Sequence, residues 1–306
     1  MRLLTYQTAK GELHPACLIN DLVIDIPQAL KHYQAQSQHA ARMATPISSL
    51  KSVLSLTTEE NTSLEQALRF SAEEPAEDLS SPAVINPESM ILAPPIPDPG
   101  KIICVAMNYP GSPQAARPDY PVFFLKPSST LCGSGSTVSL PPAAEQVQFE
   151  AELAFFIGQE CSSIPRSEAM RVIAGYTIAN DMGDSVLEKR TSQWVTGKMF
   201  DNFTPAGPYL VTADEIPDPH ALKIQTWLNG DLVQEASTGN MLYKMDEIIA
   251  YLSTLTTLNP GDMILTGSPK LFKGRPAPTA PLQDGDRVKI SISGLGTLVN
   301  HNRTEG

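Results

Sequence analysis

Histidine is scarce in this chain of 306 residues. The histidines are His14, His32, His39, His220 and His301, so positions 40 to 219 contain none. A serine or cysteine nucleophile is commonly activated by a neighbouring histidine. A Ser-His or Cys-His catalytic pair within the central segment is therefore excluded, and the chain also lacks a G-x-S-x-G motif.

Cysteine is also rare, and the cysteines are far apart. They are Cys17, Cys104, Cys132 and Cys161, and no two of them form a C-x-x-C pair. This spacing predicts reduced, mostly buried thiols and argues against a zinc site. A cysteine-dependent enzyme using Cys104 or Cys132 is an alternative, but both lie in or near apolar stretches without a nearby histidine, so packing accounts for them better.

The chain lacks long apolar runs and an excess of positive charge. No run approaches the length of a membrane span, and the start from Met1 to Tyr6 is too polar for a secretion signal. The formal net charge of −11 argues against nucleic acid and anionic membranes as partners. With 42% hydrophobic and 18% charged residues, the composition is typical of a folded globular protein, which we expect to be cytoplasmic.

Composition divides the chain into three segments. Residues 1–70 alternate short strand-like and helix-like pieces and predict a small N-terminal α+β accessory domain. Residues 71–100 are rich in proline and acidic residues and predict a linker, because such a stretch cannot form a helix or a central strand. Strand-like stretches dominate residues 101–306, which we predict to be a mainly β catalytic domain.

Local signals predict individual elements. Asn229-Gly230 between two apolar runs predicts a β-hairpin. A capping-box pattern that starts at Ser63 predicts a helix to about Arg69. Further helices are predicted from Ser167 to Ala174 and near Ser185 to Trp194.

Two carboxylates stand two residues apart at the start of an apolar run. Glu150 and Glu152 precede Leu153 to Ile157, which is typical of a core strand. Alternate strand residues share a face, so the two carboxylates point the same way and repel each other. A solvated edge strand is one interpretation. The other is a divalent cation, with Asp181 at the end of a second strand as a third oxygen ligand.

The order of motifs from Lys101 to Asn300 resembles the fumarylacetoacetate hydrolase superfamily. The matching motifs are Asn108-Tyr109, Phe124-Leu125-Lys126-Pro127, Glu150-Ala151-Glu152-Leu153, Ile157-Gly158, Ala174-Gly175-Tyr176, Asn180-Asp181, Lys198-Met199-Phe200-Asp201, Gly207-Pro208, Asn229-Gly230, Thr238 with Met241, Pro260-Gly261-Asp262 and Thr266-Gly267-Ser268-Pro269. Each motif alone is a weak signal, whereas the order and spacing together are specific. The resemblance implies a mixed β-roll or barrel-like catalytic domain that assembles as a homodimer.

The resemblance also assigns expected roles to residues. The implied ligands of Mg²⁺, with Mn²⁺ or Ca²⁺ as alternatives, are Glu150, Glu152 and Asp181. Lys198 is expected in the site as a positive group at a developing oxyanion or as an acid or base. The residues expected to contact the substrate are Tyr109, Ser185, Thr266 and Gly267. Lys126 falls in a recurrent motif and either contacts the substrate or is a structural lysine near the carboxylates.

Oxygen ligands around a hard cation suit a small-molecule substrate with two nearby oxygens, such as a 2-oxo acid, a β-keto acid or a 1,3-dicarbonyl compound. Chelation polarises the carbonyl and stabilises the enolate that forms when an adjacent C–C or C–H bond breaks.

The chain departs from the family on the loop that follows Asn108-Tyr109. Hydrolytic members carry a histidine and a glutamate there to activate water, and these positions fall on Ser112 and Ala115. Asp119 is the only acid in the loop, which contains no histidine or glutamate. An arginine of the family falls on Ser185, which suggests a bulkier or less anionic substrate.

Three hypotheses follow from a metal site without the water-activating pair. The enzyme performs a decarboxylation, tautomerisation or related rearrangement that needs no activated water. Alternatively, it hydrolyses C–C bonds with metal-bound hydroxide or with Asp119, Asp184 or Glu188 as the base. The third hypothesis is a non-catalytic relative that keeps the metal for structure.

Overall fold

The computed structural model describes residues 1–37, 46–73, 83–86, 90–111, 116–272, 275–276 and 281–305. Its helices are α1 Ile26–Gln36, α2 Leu50–Leu54, α3 Thr58–Glu73, α4 Arg166–Ala169, α5 Val195–Lys198 and α6 Met245–Leu255. Its strands are β1 Arg2–Gln7, β2 Leu13–Ile19, β3 Leu22–Asp25, β4 Val84–Ile85, β5 Ile91–Ala93, β6 Ile102–Ala106, β7 Val122–Lys126, β8 Leu131–Cys132, β9 Thr137–Leu140, β10 Val147–Gln148, β11 Ala151–Ile157, β12 Ile173–Asn180, β13 Gly183–Asp184, β14 Thr204–Thr212, β15 Lys223–Leu228, β16 Asp231–Ser237, β17 Met263–Leu265, β18 Leu271–Phe272, β19 Arg275–Pro276, β20 Arg287–Ile292 and β21 Gly296–Thr304.

Two open sheets confirm the mainly β prediction. The larger sheet has the order β4-β3-β2-β1-β14-β12-β11-β17-β6-β7, with β5 beside β1 and β8 beside β14. The smaller sheet has the order β16-β15-β20-β21-β9. Among the described residues β4 and β7 do not pair, so the larger sheet does not close into the expected barrel. No helix in the described ranges is both long and apolar enough to span a membrane.

The N-terminal strands are part of the larger sheet. Strand β1 pairs antiparallel with β14, with Leu3 opposite Leu210. On its other side β1 pairs with β2, and β5 from the proline-rich stretch pairs with β1 through Ala93 opposite Thr5. Backbone hydrogen bonds therefore connect residues from all three predicted segments, and the boundaries proposed at residues 70 and 100 stay predictions.

Strand β11 lies at the centre of the fold and is buried on both faces. Leu153, Phe155 and Ile157 point into the core between the two sheets. Ala154 and Phe156 point to the opposite face, where they join the core beneath α1, α2 and α3. Alternation of side chains therefore places Glu152 on the face of Ala154, at the rim of the second core.

The antiparallel register between β11 and β12 brings the acidic side chains together. Ala151 pairs with Asn180, so Asp181 follows at the end of the ladder beside Glu150. The Asp181 N–H donates to the Glu150 carbonyl at 2.8 Å, and the Glu150 N–H donates to the Asn180 side-chain oxygen at 2.9 Å. Residues 31 positions apart in sequence are thus fixed side by side.

Several local predictions are confirmed and others are wrong. The hairpin at Asn229-Gly230 is present between β15 and β16. Helix α3 begins five residues before Ser63, whose hydroxyl donates to the carbonyl of Glu59 inside the helix instead of capping it. The predicted helix to Ala174 ends at Ala169, because a 3₁₀ turn over Met170–Val172 follows and β12 then begins at Ile173, where it pairs with β11 and β14.

Most of the segment from Ser185 to Trp194 is irregular; the predicted helix there is wrong. Only one short 3₁₀ turn forms, over Leu187–Lys189. The four cysteines are buried and form no disulfide, as predicted.

We expect Gly175→Ala to destabilise the fold. Gly175 lies in β12, where a Cβ atom would stand 2.3 Å from the Val211 carbonyl oxygen and 2.6 Å from Leu210 Cδ2. Such overpacking typically costs about 1–3 kcal/mol, which urea unfolding would measure. Gly111→Ala is the matched control, because a Cβ atom there meets no atom of the described residues within 4 Å. Equal stability of the two variants would contradict this account of β12 packing.

Candidate active site

The structure brings the three predicted metal ligands together. Oxygen atoms of Glu150, Glu152 and Asp181 lie within 4.8 Å of one another. Glu152 and Asp181 are 2% and 1% exposed, respectively, so neither carboxylate is solvated as it would be on an edge strand. The edge-strand interpretation of the E-x-E pattern is therefore wrong, because β11 has a hydrogen-bonded neighbour on each side.

Electrostatics within this cluster favour an added cation. Burial, followed by the charges of Asp181 and Glu150, raises the pKa of Glu152 well above its usual value. Glu150 is partly buried, which raises its pKa, but Lys198 and Lys270 lower the pKa to about 2. A set of three converging carboxylate oxygens, whose repulsion the neighbouring lysines offset only in part, fits a hard divalent cation such as Mg²⁺ or Mn²⁺.

Lys198, at the end of α5, is enclosed by acceptors. Its ammonium donates to Glu150 Oε2 at 2.7 Å and to the Asp181 carbonyl oxygen at 2.8 Å. Asp181 Oδ2 lies at 3.1 Å and Glu188 Oε1 at 3.8 Å. Although burial lowers the pKa of Lys198, the charges of Asp181 and Glu150 raise it well above the usual lysine value. Lys198 is thus held as a cation against the carboxylate cluster.

Lys126 lies behind Asp181 and does not line the cavity beside the carboxylates. Its buried ammonium contacts Asp181 Oδ1 at 2.6 Å and donates to the carbonyls of Met182 at 3.1 Å and Phe203 at 2.9 Å. These contacts fit the structural alternative for this lysine, in which it orients Asp181.

Thr266 and Gly267 follow β17 at the level of Glu152. The Thr266 hydroxyl donates to the Leu153 carbonyl at 2.7 Å, and the Gly267 N–H donates to Glu152 Oε2 at 2.7 Å. Gly267 has a φ of +94°, and a Cβ atom there would stand 2.8 Å from Asn108 Cβ, so only glycine fits. The Thr266 hydrogen bond anchors the loop after β17, and the Gly267 N–H orients Glu152, a predicted metal ligand.

Asn108 connects this loop to the strand end that carries Tyr109. The Asn108 side-chain NH₂ donates to the Thr266 carbonyl at 2.7 Å and to the Tyr243 carbonyl at 3.1 Å, and its oxygen accepts from the Tyr243 N–H. Tyr109 is 4% exposed, and its hydroxyl has no hydrogen-bond partner among the described residues. It does not line the cavity.

A cavity of about 230 Å³ opens above the carboxylate cluster. Its walls combine charged and apolar groups, and the lining residues are Val105, Ala106, Met107, Phe124, Glu150, Glu152, Asp181, Glu188, Trp194, Lys198, Gly267, Ser268 and Lys270. Phe124 and Trp194 meet edge to face, with ring centroids 6.2 Å apart. The cavity therefore offers an acidic floor beside an aromatic wall.

Other predicted site residues lie elsewhere. Asp119 is exposed and does not line the cavity. Ser185 is also absent from the lining, and its hydroxyl donates to Gln146 Oε1 at 3.3 Å. Ser112 and Ala115 are outside the described residues.

Asp184, a candidate base in the sequence, is a structural residue. Its Oδ2 atom accepts hydrogen bonds from the N–H groups of Glu145 and Gln146, and its Oδ1 atom accepts from those of Val186 and Leu187. Burial raises the pKa of Asp184, but these backbone bonds outweigh burial and bring it below the usual value. A carboxylate held in this way orders the turn and is a poor proton acceptor.

Glu188 is the acid of the cavity outside the three-carboxylate cluster. A Cβ atom at Gly183 would stand 2.2 Å from Glu188 Oε1, and one at Gly197 would stand 2.6 Å from Glu188 Cγ. The Glu188 side chain therefore packs against the backbone of Gly183 and Gly197, beside Lys198. Burial raises the pKa of Glu188, while Lys198 opposes that shift.

Sequence reasoning missed Lys270, Phe124 and Trp194 as cavity residues. Lys270 contacts Glu150 Oε1, and its position directly after Thr266-Gly267-Ser268-Pro269 was the available signal. Phe124 precedes Lys126 in a family motif, but nothing in the sequence distinguished its side chain from core packing.

Comparisons with known proteins agree with this geometry. The fumarylacetoacetate hydrolase C-terminal family model matches residues 101–302. A mitochondrial oxaloacetate tautomerase of Xenopus laevis is 39% identical over 226 residues, which cover 72% of this chain and 71% of that protein.

Two solved structures are similar over the whole of this chain and of their own. Maleylpyruvate hydrolase from Sphingobium sp. SYK-6, in complex with manganese(II) ion and pyruvate, has a TM-score of 0.76 and 30% identity. A 5-carboxymethyl-2-hydroxymuconate delta-isomerase from Mycobacterium smegmatis has a TM-score of 0.73 and 27% identity.

The similar proteins are enzymes, and they include a tautomerase, an isomerase and a hydrolase. The family match covers the strands and loops that carry every residue of the carboxylate cluster. The chain therefore belongs to the fumarylacetoacetate hydrolase family.

Proposed function

We propose that this protein is a divalent-metal-dependent tautomerase of a 2-oxo acid, with oxaloacetate as the first substrate to test. The observation that carries the proposal is a cavity in which three carboxylates converge beside a separate carboxylate, Glu188. The 39% sequence identity to an oxaloacetate tautomerase supports the choice of substrate.

Glu150, Glu152 and Asp181 would hold the ion, with Mg²⁺ proposed and Mn²⁺ or Ca²⁺ as alternatives. A bound divalent cation would polarise the two oxygens of a chelated 2-oxo acid and so ease the loss of a proton from the adjacent carbon. Gly267 and Lys126 support this set by fixing the orientation of Glu152 and Asp181.

Glu188 is the proposed proton carrier. For ketone to become enol, a C–H bond next to the ketone breaks and its electron pair forms the C=C bond. Glu188 takes that proton and then gives it to the former ketone oxygen, so no other reactant is consumed. Lys198 supplies a fixed positive charge beside the cavity, which stabilises the negative charge that develops on that oxygen.

Tautomerisation suits this chain better than hydrolysis, because hydrolysis also requires an activated water. The family positions for the water-activating pair carry Ser112 and Ala115 here. Decarboxylation of a β-keto acid would use the same polarised carbonyl, but it removes CO₂ instead of a C–H proton, so it needs a proton donor for the enolate and no base. A carboxylate beside the cluster, such as Glu188, is the base that tautomerisation needs.

C–C bond hydrolysis is the second candidate. The similarity to a maleylpyruvate hydrolase favours it, and Glu188 would then activate water. Release of pyruvate from an acylpyruvate distinguishes the two reactions.

A homodimer and a cytoplasmic location remain predictions from the sequence.

We expect Mg²⁺ or Mn²⁺ to raise the melting temperature of the wild-type protein, since only the folded state assembles the cluster. Saturation at about 100 times Kd adds about 2.7 kcal/mol of stability. Glu152→Gln should lose this metal-dependent rise, and its metal-free form should be at least as stable as wild type because one of three like charges is gone.

Thermal unfolding with and without metal checks this expectation. Glu59→Gln, which removes an exposed carboxylate on α3, is the control and should respond to metal as the wild type does. An unchanged response in Glu152→Gln would show that the cluster is not the metal site.

We expect Glu188→Gln to slow tautomerisation by a factor of about 10²–10⁴, because the amide cannot accept the proton. The rate is followed by the ultraviolet absorbance of the enol form of oxaloacetate. Glu168→Gln, at an exposed glutamate paired with Arg171, serves as the control.

The metal-dependent rise in melting temperature should survive in Glu188→Gln, because this residue is outside the three-carboxylate cluster. A variant that binds metal and retains the wild-type rate would assign proton transfer to another group.

A further inference from the structure

Two lysines line the cavity, and they differ in what their ammonium groups contact. Lys198 is 4% exposed and already faces Glu150, Asp181 and Glu188. Lys270 has a side chain that is 48% exposed, and Glu150 Oε1 is its one partner among the described residues. An ammonium has three donors, so Lys270 keeps donors for a ligand in the cavity.

Hydrogen bonds from the side chain of Gln234 anchor the backbone that carries Lys270. Gln234 is 3% exposed on β16, and its amide donates to the Pro269 carbonyl at 2.6 Å and to the Ser268 hydroxyl at 3.3 Å. Its oxygen accepts from the Thr226 hydroxyl at 2.7 Å, which fixes the orientation of the amide. Lys270 therefore has an anchored backbone and a long side chain that is free to reorient.

Glu150 is shared between the two lysines and the proposed metal. Lys198 contacts its Oε2 atom and Lys270 its Oε1 atom. An oxygen that binds a cation no longer needs the lysine on that side, and the half-exposed Lys270 is the partner that can leave. Lys198 is enclosed and stays.

Charge balance favours an anionic ligand once a divalent cation is bound. Four carboxylates face the three lysines Lys126, Lys198 and Lys270, so the site alone has an excess of negative charge. A divalent ion reverses that sign, and a dicarboxylate ligand would then be attracted to the cavity.

We propose that Lys270 is a specificity-determining residue that binds the distal carboxylate of a 2-oxo dicarboxylate. This inference rests on the proposed function, because the metal end of the substrate defines which carboxylate is distal. Ser185 stands at the position of the family arginine and lies outside the cavity lining. The positive group that pairs with the distal carboxylate is therefore the Lys270 ammonium, on the loop that follows β17. The expectation of a less anionic substrate, made from the missing arginine, is replaced by this assignment.

Pyruvate and oxaloacetate are the matched probes, because they differ only in the distal carboxylate. Calorimetric titration in the presence of Mn²⁺ measures the affinity for each. We expect Lys270→Met to weaken oxaloacetate binding about tenfold, the effect of losing one charge-assisted contact at a half-exposed site, and to leave pyruvate within twofold. Lys270→Arg should retain the preference for oxaloacetate.

Two controls distinguish this role from a structural one. Lys223→Met removes a similarly exposed lysine that pairs with Glu235 and should change neither affinity. Mn²⁺ affinity, titrated without any organic ligand, should be unchanged or higher in Lys270→Met, because Lys270 no longer competes for Glu150. Weaker Mn²⁺ binding, or an equal loss for both probes, would overturn the proposal in favour of a purely structural lysine.

The outcomes also separate this inference from the proposed function. If wild type binds oxaloacetate through Lys270 but does not tautomerise it, the function fails and the assignment of Lys270 stands. If wild type tautomerises oxaloacetate and Lys270→Met shows no selective loss, the assignment fails and the function stands.

Discussion

The placement of three carboxylates at the rim of a hydrophobic core is the constraint on which the rest of this structure depends. Isolated carboxylates at such depth are costly, because they lose hydration and repel one another. The protein compensates by enclosing Lys126 and Lys198 against Asp181 and by aiming the Gly267 N–H at Glu152. The remaining repulsion leaves a site that gains stability when it takes up a cation.

Strand β11 combines two roles that are usually separate. Every residue of the strand is buried, and its beginning carries Glu152. The register with β12 and β17 therefore fixes both the core and the site. A change that shifts either pairing would move the acidic groups as a set and would not disturb one of them alone.

The sequence predicted the parts of the site that depend on local alternation and on motif order. Glu150 and Glu152 share a face because of strand geometry, and the motif Asn180-Asp181 marks the end of the neighbouring strand. The helix starting at Ser63 was misplaced, because α3 begins five residues earlier, behind a capping box in which the Glu60 N–H donates to the Thr57 hydroxyl and the Thr57 N–H donates to Glu60 Oε2. Lys270 was missed because its importance depends on Gln234, 36 residues away, which anchors the loop from a different sheet.

The support of Glu188 by Gly183 and Gly197 has a consequence for how such a site evolves. A side chain at Gly183 would displace the Glu188 carboxylate, and one at Gly197 would displace the Glu188 stem, so neither glycine varies independently of Glu188. Relatives that keep an acid at this position should keep both glycines. With a smaller residue there, Gly183 could vary more readily, because its other close contacts are flexible carbons of Lys198, whereas a Cβ atom at Gly197 would still stand 2.6 Å from the Asp184 carbonyl oxygen. Covariation between positions 183 and 188, visible in an alignment without any structure, would then separate family members that share this acid from those that have adopted another chemistry.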